Sequence, residues 1–347
     1  MATTIYDSFN HALPSFQRLG TQVDASPKSS GTTTEACKPP RCGINIPVKH
    51  WTGLASRLCL DQHKDDLRSE YLSPFDNSMA FKSEADVVEA SAMYLRNPVQ
   101  FAYQLVHPHD ICLKQLTKPQ KDVTSASRVD IAYFSGKPNN ENTPGNSSNV
   151  FAVMEYKRLD GLSRKQFKDR TVSNSIAYAQ ALRRFTLVNS RSSTEIVLKQ
   201  ATHYASKFVT PFVALCDYNT LILLVMNQVE GYDGGHYTYV TMVENSKDMR
   251  KAYLGFLLAA RLHAQGNNDW RKNGAGEDLF VDVEDWEPRG ATSPRQRSRM
   301  TKVMISPSFS SSSSKTRLNL KLPLPDTRDG HLAAASTRAS DPKSGEK

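Results

Sequence analysis

Two short apolar runs, "PFVALC" (211–216) and "LILLVM" (221–226), flank the turn-like "DYNT". Apolar runs this short, bounded by a turn, read as paired strands. The other patterned segments must therefore arrange themselves around a sheet. "SEADVVEASAMYLRNPV" (83–99) predicts a helix that starts at Ser83 and ends near Asn97-Pro98. "RVDIAYF" (128–134) and "VFAVMEYKR" (150–158) predict two strands joined by a long polar loop, residues 135–149. "SNSIAYAQALRRFTLV" (173–188) and "SSTEIVLKQATHYASKF" (192–208) predict helices, the second with Ser192 and Glu195 spaced as a capping box. "YTYVTMVE" (237–244) predicts a further strand. "SKDMRKAYLGFLLAARLHAQG" (246–266) predicts a closing helix stopped by Gly266. This order gives an α/β or α+β fold with a central mixed sheet flanked by helices.

Outside these segments the composition changes. Residues 20–45 are rich in Ser, Thr, Pro and Gly, so residues 1–46 are expected to be a flexible leader. Residues 47–82 read as a helical N-terminal extension, residues 83–287 as the folded domain, and residues 288–347 as a disordered, basic, Ser-rich tail. No run approaches 18 apolar residues, so no membrane span is expected. "MATTIYDSFNHALPSF" lacks the basic region and apolar core of a secretory signal. The five cysteines are unevenly spaced and suggest no disulfide framework. An intracellular protein of the nucleus or cytoplasm is the expectation. The net charge of +9 is concentrated in two zones. The tail holds 12 Lys/Arg against 4 Asp/Glu, and residues 151–207 hold 11 against 4. Local basic zones of this kind point to nucleic acid as a partner.

The second basic zone begins at "VMEYKR" (153–158). On a strand, Glu155 and Lys157 share a face. Alone, they read as an exposed ion pair at a strand end. Pairing strand 128–134 with strand 151–157 so that Phe134 meets Phe151 puts Asp130 opposite Glu155, with about 5 Å between their Cβ atoms. Two carboxylates so close repel each other unless a cation compensates. The helix from Ser83 adds a third acid. Val88, Ser91 and Leu95 lie within about 40° of Glu84 on the helical wheel, which places Glu84 on the apolar stripe as a buried-face carboxylate.

Asp130 followed by Glu155-Tyr156-Lys157 on the next strand resembles the PD-(D/E)xK nuclease superfamily, whose fold is that of the restriction endonucleases. Glu84 matches the acid-bearing helix that precedes those strands in many members. "QATHY" (200–204) is similar to the Q-x-x-x-Y element of RecB-like exonucleases. The chain also resembles fungal proteins that carry this core between disordered ends. Val129 stands where the superfamily name calls for Pro, and the stretch between Lys157 and Gln200 is longer than in compact members.

The resemblance implies a Mg2+- or Mn2+-dependent hydrolase acting on nucleic-acid phosphodiester bonds, of DNA or RNA. Asp130 and Glu155 would hold the metal, with Glu84 in support and the Tyr156 carbonyl as a further candidate. Lys157 would assist at the attacking water or the phosphate oxygens. Gln200 and Tyr204 would hold the substrate backbone or brace the site. Arg158, Arg164, Lys165, Lys168, Arg183 and Arg184 would contact phosphates. The alternative is a nuclease fold without activity that serves as a nucleic-acid or protein-binding module.

Overall fold

The computed structural model of the 347-residue chain describes residues 3–19, 37–76, 78–118, 127–136, 149–173, 177, 193–227 and 237–280. The expected tail, most of the loop at 135–149 and nearly all of the helix expected at 173–188 lie outside these residues. In chain order the helices are α1 (Ile5–Ser8), α2 (Val48–Ala55), α3 (Lys64–Ser69), α4 (Glu84–Ser91), α5 (Asn97–Val106), α6 (Arg164–Asp169), α7 (Ser193–Phe208) and α8 (Ser246–Ala264). The strands are β1 (Gln17–Arg18), β2 (Cys42–Asn45), β3 (Ala80–Phe81), β4 (Ile111–Lys118), β5 (Ser127–Phe134), β6 (Val150–Tyr156), β7 (Thr171–Val172), β8 (Phe212–Cys216), β9 (Leu221–Met226) and β10 (Tyr237–Val243).

Eight strands form one mixed sheet in the order β4-β5-β6-β8-β9-β10-β2-β7. β4, β5 and β6 run as an antiparallel meander, β6 pairs parallel with β8, and β8, β9 and β10 return to antiparallel pairing. β8 and β9 are the two apolar runs around "DYNT", and every one of their residues is buried. That burial follows from their place in mid-sheet, with both faces covered. Trp51, Leu54, Tyr94, Leu95, Phe256 and Leu257, from the helical segments at 48–60 and 84–106 and from α8, cover one face. Phe167 of α6 and Val197, Leu198, Ala201, Tyr204 and Phe208 of α7 cover the other. Each such fully buried large apolar side chain contributes about 1.5–3 kcal/mol.

The sequence reading and the structure part company in the first hundred residues. Residues 3–19 are no flexible leader. Ile5, Phe9 and Leu13 are buried in the main core, and β1 pairs parallel with β3. Cys42–Asn45, also assigned to the leader, is an interior strand between β10 and β7. Averaging over the Ser/Thr/Pro-rich stretch hid the helical spacing of Ile5 and Phe9. Residues 20–36 lie outside the described residues. Of the expected helical extension 47–82, residues 48–60 and 64–69 are helical while Ala80–Phe81 forms β3, and the stretch is no appendage, because α2 packs directly against α8. A Cβ at Gly255 of α8 would overlap the Trp51 carbonyl of α2.

The helix starting at Ser83 begins as expected. The Ser83 side chain accepts the Asp86 amide at 3.4 Å, and the Asp86 carboxylate accepts the Ser83 amide at 2.7 Å. It does not end at Asn97-Pro98. A π-helical turn, Ala92–Arg96, leads straight into α5, with Pro98 in the first turn of α5, where a missing N–H costs little. In a regular helix Pro98 would leave the Tyr94 carbonyl without its donor. Arg250 Nε of α8 supplies one at 2.5 Å. Its Nη1 donates to the Ser8 and His11 carbonyls at 2.7 and 3.1 Å, so one buried guanidinium ties α8 to both N-terminal layers.

Candidate functional site

β6 carries "VMEYK" to its carboxyl end, between β5 and β8. The β5–β6 ladder pairs Ile131 with Met154, Ala132 with Val153 and Tyr133 with Ala152. Continued one step, this register sets Asp130 opposite Glu155, as the sequence reading required. The anchor assumed for it was wrong. Phe134 pairs with Val150, not Phe151, and an irregularity between Tyr133 and Phe134 absorbs the difference.

Asp130 bends across the ladder, and its Oδ2 accepts the Tyr156 amide at 2.8 Å. Beside it, Lys157 Nζ donates to Glu155 Oε1 at 2.9 Å. Neither partner of this pair is a freely solvated surface group, since the side chains are only 15% and 12% exposed for Lys157 and Glu155. Tyr156 points to the opposite face and is fully buried. Lys157 is held in place by its own amide, which donates to the Cys216 carbonyl of β8 at 2.8 Å.

Burial pushes the Glu155 carboxyl up to about 7. Lys157 opposes that shift, and the negative charge of Asp130 adds to it. The Tyr204 hydroxyl of α7 also stands close enough to Glu155 to favour its ionised form. Burial, reinforced by Glu155, holds the Tyr204 phenol well above its ordinary range, so Tyr204 keeps its proton. Glu84 acts on the same hydroxyl electrostatically, which places its carboxylate near this cluster. Glu84 is nevertheless exposed, not buried as the wheel implied. It is the first residue of α4, where the helix projects past its buried stripe of Val87, Ala90 and Ser91.

Two strands and one helix thus bring Asp130, Glu155, Lys157 and Tyr204 together, with Glu84 at the rim. Gln200 lies one turn before Tyr204 and is buried, at 7% exposure. The expected phosphate contacts fare unevenly. Arg164 clamps the β8–β9 turn, with Nε on Thr220 Oγ1 and Nη2 on the Asn219 carbonyl, both at 2.8 Å. This is a structural task that the run of basic residues does not reveal. Lys168 pairs with Glu244 at 2.7 Å. Arg158 and Lys165 are exposed. Arg183 and Arg184 lie outside the described residues.

The donor set is all hard oxygen, which suits Mg2+ or Mn2+ over softer metals. A buried carboxylate pushed up by a second acid is also the situation that a divalent cation relieves. Among the described residues, however, no group of three or more His, Cys, Asp or Glu side chains is gathered closely enough to hold a metal ion. Any cation here would rest on the Asp130–Glu155 pair and its own waters. No helix among the described residues is long and apolar enough to cross a membrane. Comparison with protein-family models, curated proteins and solved structures gives no match to this chain.

Two buried cations, Arg96 and Arg250, escaped the sequence reading. Arg250 is 1% exposed, and its signal was its place on the apolar face of 246–266, in register with Tyr253, Leu254 and Leu257.

Proposed function

We propose that this chain is a Mg2+- or Mn2+-dependent nuclease-like phosphodiesterase with its reaction centre at the carboxyl end of β6. The observation that carries the reading is the convergence of Asp130, Glu155 and Lys157 from adjacent strands, braced by Tyr204. Asp130 and Glu155 would hold the cation, which when bound supplies an activated water and polarises the scissile phosphate. Lys157, released from Glu155, presents its ammonium to negative charge growing on the phosphate oxygens. Tyr204, packed against this pair from α7, would help to orient Glu155. Exposed Arg158 and Lys165 attract the phosphate backbone without reading its sequence. Nucleic acid is accordingly the partner proposed.

The test is cleavage of plasmid, single-stranded DNA and RNA by the full chain with Mg2+ or Mn2+. Cleavage that disappears in Asp130→Asn, Glu155→Gln and Lys157→Met is expected. Cleavage undiminished in those variants overturns the reading.

A second reading has its own support. Lys157 is already paired with Glu155, and Glu84 is turned to solvent. Both fit a nuclease-like fold kept as a binding module. Salt-sensitive nucleic-acid binding without metal-dependent turnover would select it.

A further inference from the structure

Arg250 is buried without a counter-ion. Its five N–H groups divide unequally. Nε and Nη1 use three of them on the Tyr94, Ser8 and His11 carbonyls. The two on Nη2 have no acceptor among the described residues, and no carboxylate pairs with this side chain there. Buried arginines are ordinarily paired, because an uncompensated charge in a low-dielectric site is costly. Burial lowers the Arg250 guanidinium to about 10, which leaves it charged at neutral pH.

The same side chain lines a cleft of about 410 Å³ between the N-terminal segment and the stretch before β3. That volume lies within the range of small-molecule sites. One wall is apolar and partly flat: Pro14, Leu72, Pro74, Phe75 and Tyr94, with Phe75 47% exposed at the surface. No Asp or Glu lines it. The Tyr94 hydroxyl is turned to the Pro74 carbonyl and the Asp76 amide, so it does not compete for the cation. The cleft therefore offers one unspent guanidinium donor beside an aromatic and aliphatic wall, with Thr3, Ser8, His11 and Ser73 also lining it.

We propose that this cleft binds a small organic monocarboxylate, its anionic group on Arg250 Nη2 and its flat apolar body against Phe75 and the prolines. The arrangement is independent of the β6 site and stands whether or not that site cuts nucleic acid. Neither wall nor floor alone specifies the ligand. The guanidinium requires the anion, and the walls require the apolar body.

The probe is sodium benzoate titrated into the full chain by calorimetry. Benzamide serves as the uncharged isostere and sodium sulfate as the bare anion. Saturable benzoate binding is expected, at least tenfold tighter than either control. Arg250→Gln should abolish it. Because that variant removes three hydrogen bonds, two of them buried, and can fail to fold, Phe75→Ala provides the second arm. Phe75→Ala should weaken benzoate at least fivefold with an unchanged circular-dichroism spectrum. Benzamide or sulfate binding as tightly as benzoate overturns the proposal, and so does Phe75→Ala binding benzoate as tightly as the native chain.

Discussion

Asp130 closes the β5–β6 ladder by accepting the Tyr156 amide, and the same carboxylate stands beside Glu155. One side chain therefore has an architectural duty and, under the proposed function, a chemical one, and substitutions separate them. Asn keeps an acceptor oxygen, whereas Ala leaves the Tyr156 amide unmet. Asp130→Asn should cost less than about 1 kcal/mol, and Asp130→Ala about 1–3 kcal/mol, in urea unfolding. Both should abolish metal-dependent cleavage. Equal stability losses would show that the bond to Tyr156 matters little.

Glu155 sets a pH dependence of known sign. Its folded value, about 7, lies above its ordinary 4.5. The folded chain thus binds this proton more tightly than the unfolded chain, and this group's contribution to stability falls as pH rises from about 4.5 to 7. Cation binding requires the ionised form. Mn2+ affinity, followed by the paramagnetic signal of free Mn2+, should rise about tenfold per pH unit from 5 towards 7 and then level off. Glu155→Gln should flatten the profile. A profile that is already flat in the native chain excludes Glu155 as a ligand.

The contact of α2 with α8 depends on two glycines in opposite ways. At Gly255 an added methyl meets the Trp51 carbonyl, so Gly255→Ala should cost more than about 2 kcal/mol. At Gly53 of α2 nothing lies within 4 Å of the added carbon. Gly53→Ala should instead stabilise the chain by about 0.5–1 kcal/mol, since Ala restricts the unfolded chain and suits the helix. Denaturant midpoints of the two variants moving in the same direction would contradict this packing.

Arg250→Met keeps an apolar stem but strips donors from two buried carbonyls, of Tyr94 and Ser8, and from the part-buried carbonyl of His11. A loss of about 3 kcal/mol or more is expected by calorimetry. Arg261→Met, which breaks the 2.7 Å pair with buried Asp110, should behave similarly, because a buried acid is left without its cation.

Sequence made the sheet's centre legible because β8 and β9 are apolar at every position and bounded by a turn. It made the register at Asp130 legible because the period of a strand is strict, even though the anchor at Phe134 was misplaced. It failed where the deciding contact is remote. Nothing near Cys42–Asn45 announces a strand, since its partners Thr171 and Tyr237 lie far along the chain. The break expected at Pro98 is overridden by the π turn and by a donor from residue 250. Glu84 was misjudged for another reason. A helical wheel gives direction around the axis but not distance along it, and the first turn of α4 extends beyond the sheet it covers.

The bond from Arg250 to the Ser8 carbonyl spans 242 positions. During synthesis the segment around Ser8 therefore waits for α8 before it can dock. β2 waits similarly for β10. Early truncation is then not a local loss. A fragment ending before α8 sheds that helix and also sets free residues 3–16, whose aromatic side chains would be offered to chaperones or to other copies. A fragment that keeps these contacts must include both residues 5–13 and α8, even though the candidate site lies wholly between Glu84 and Tyr204.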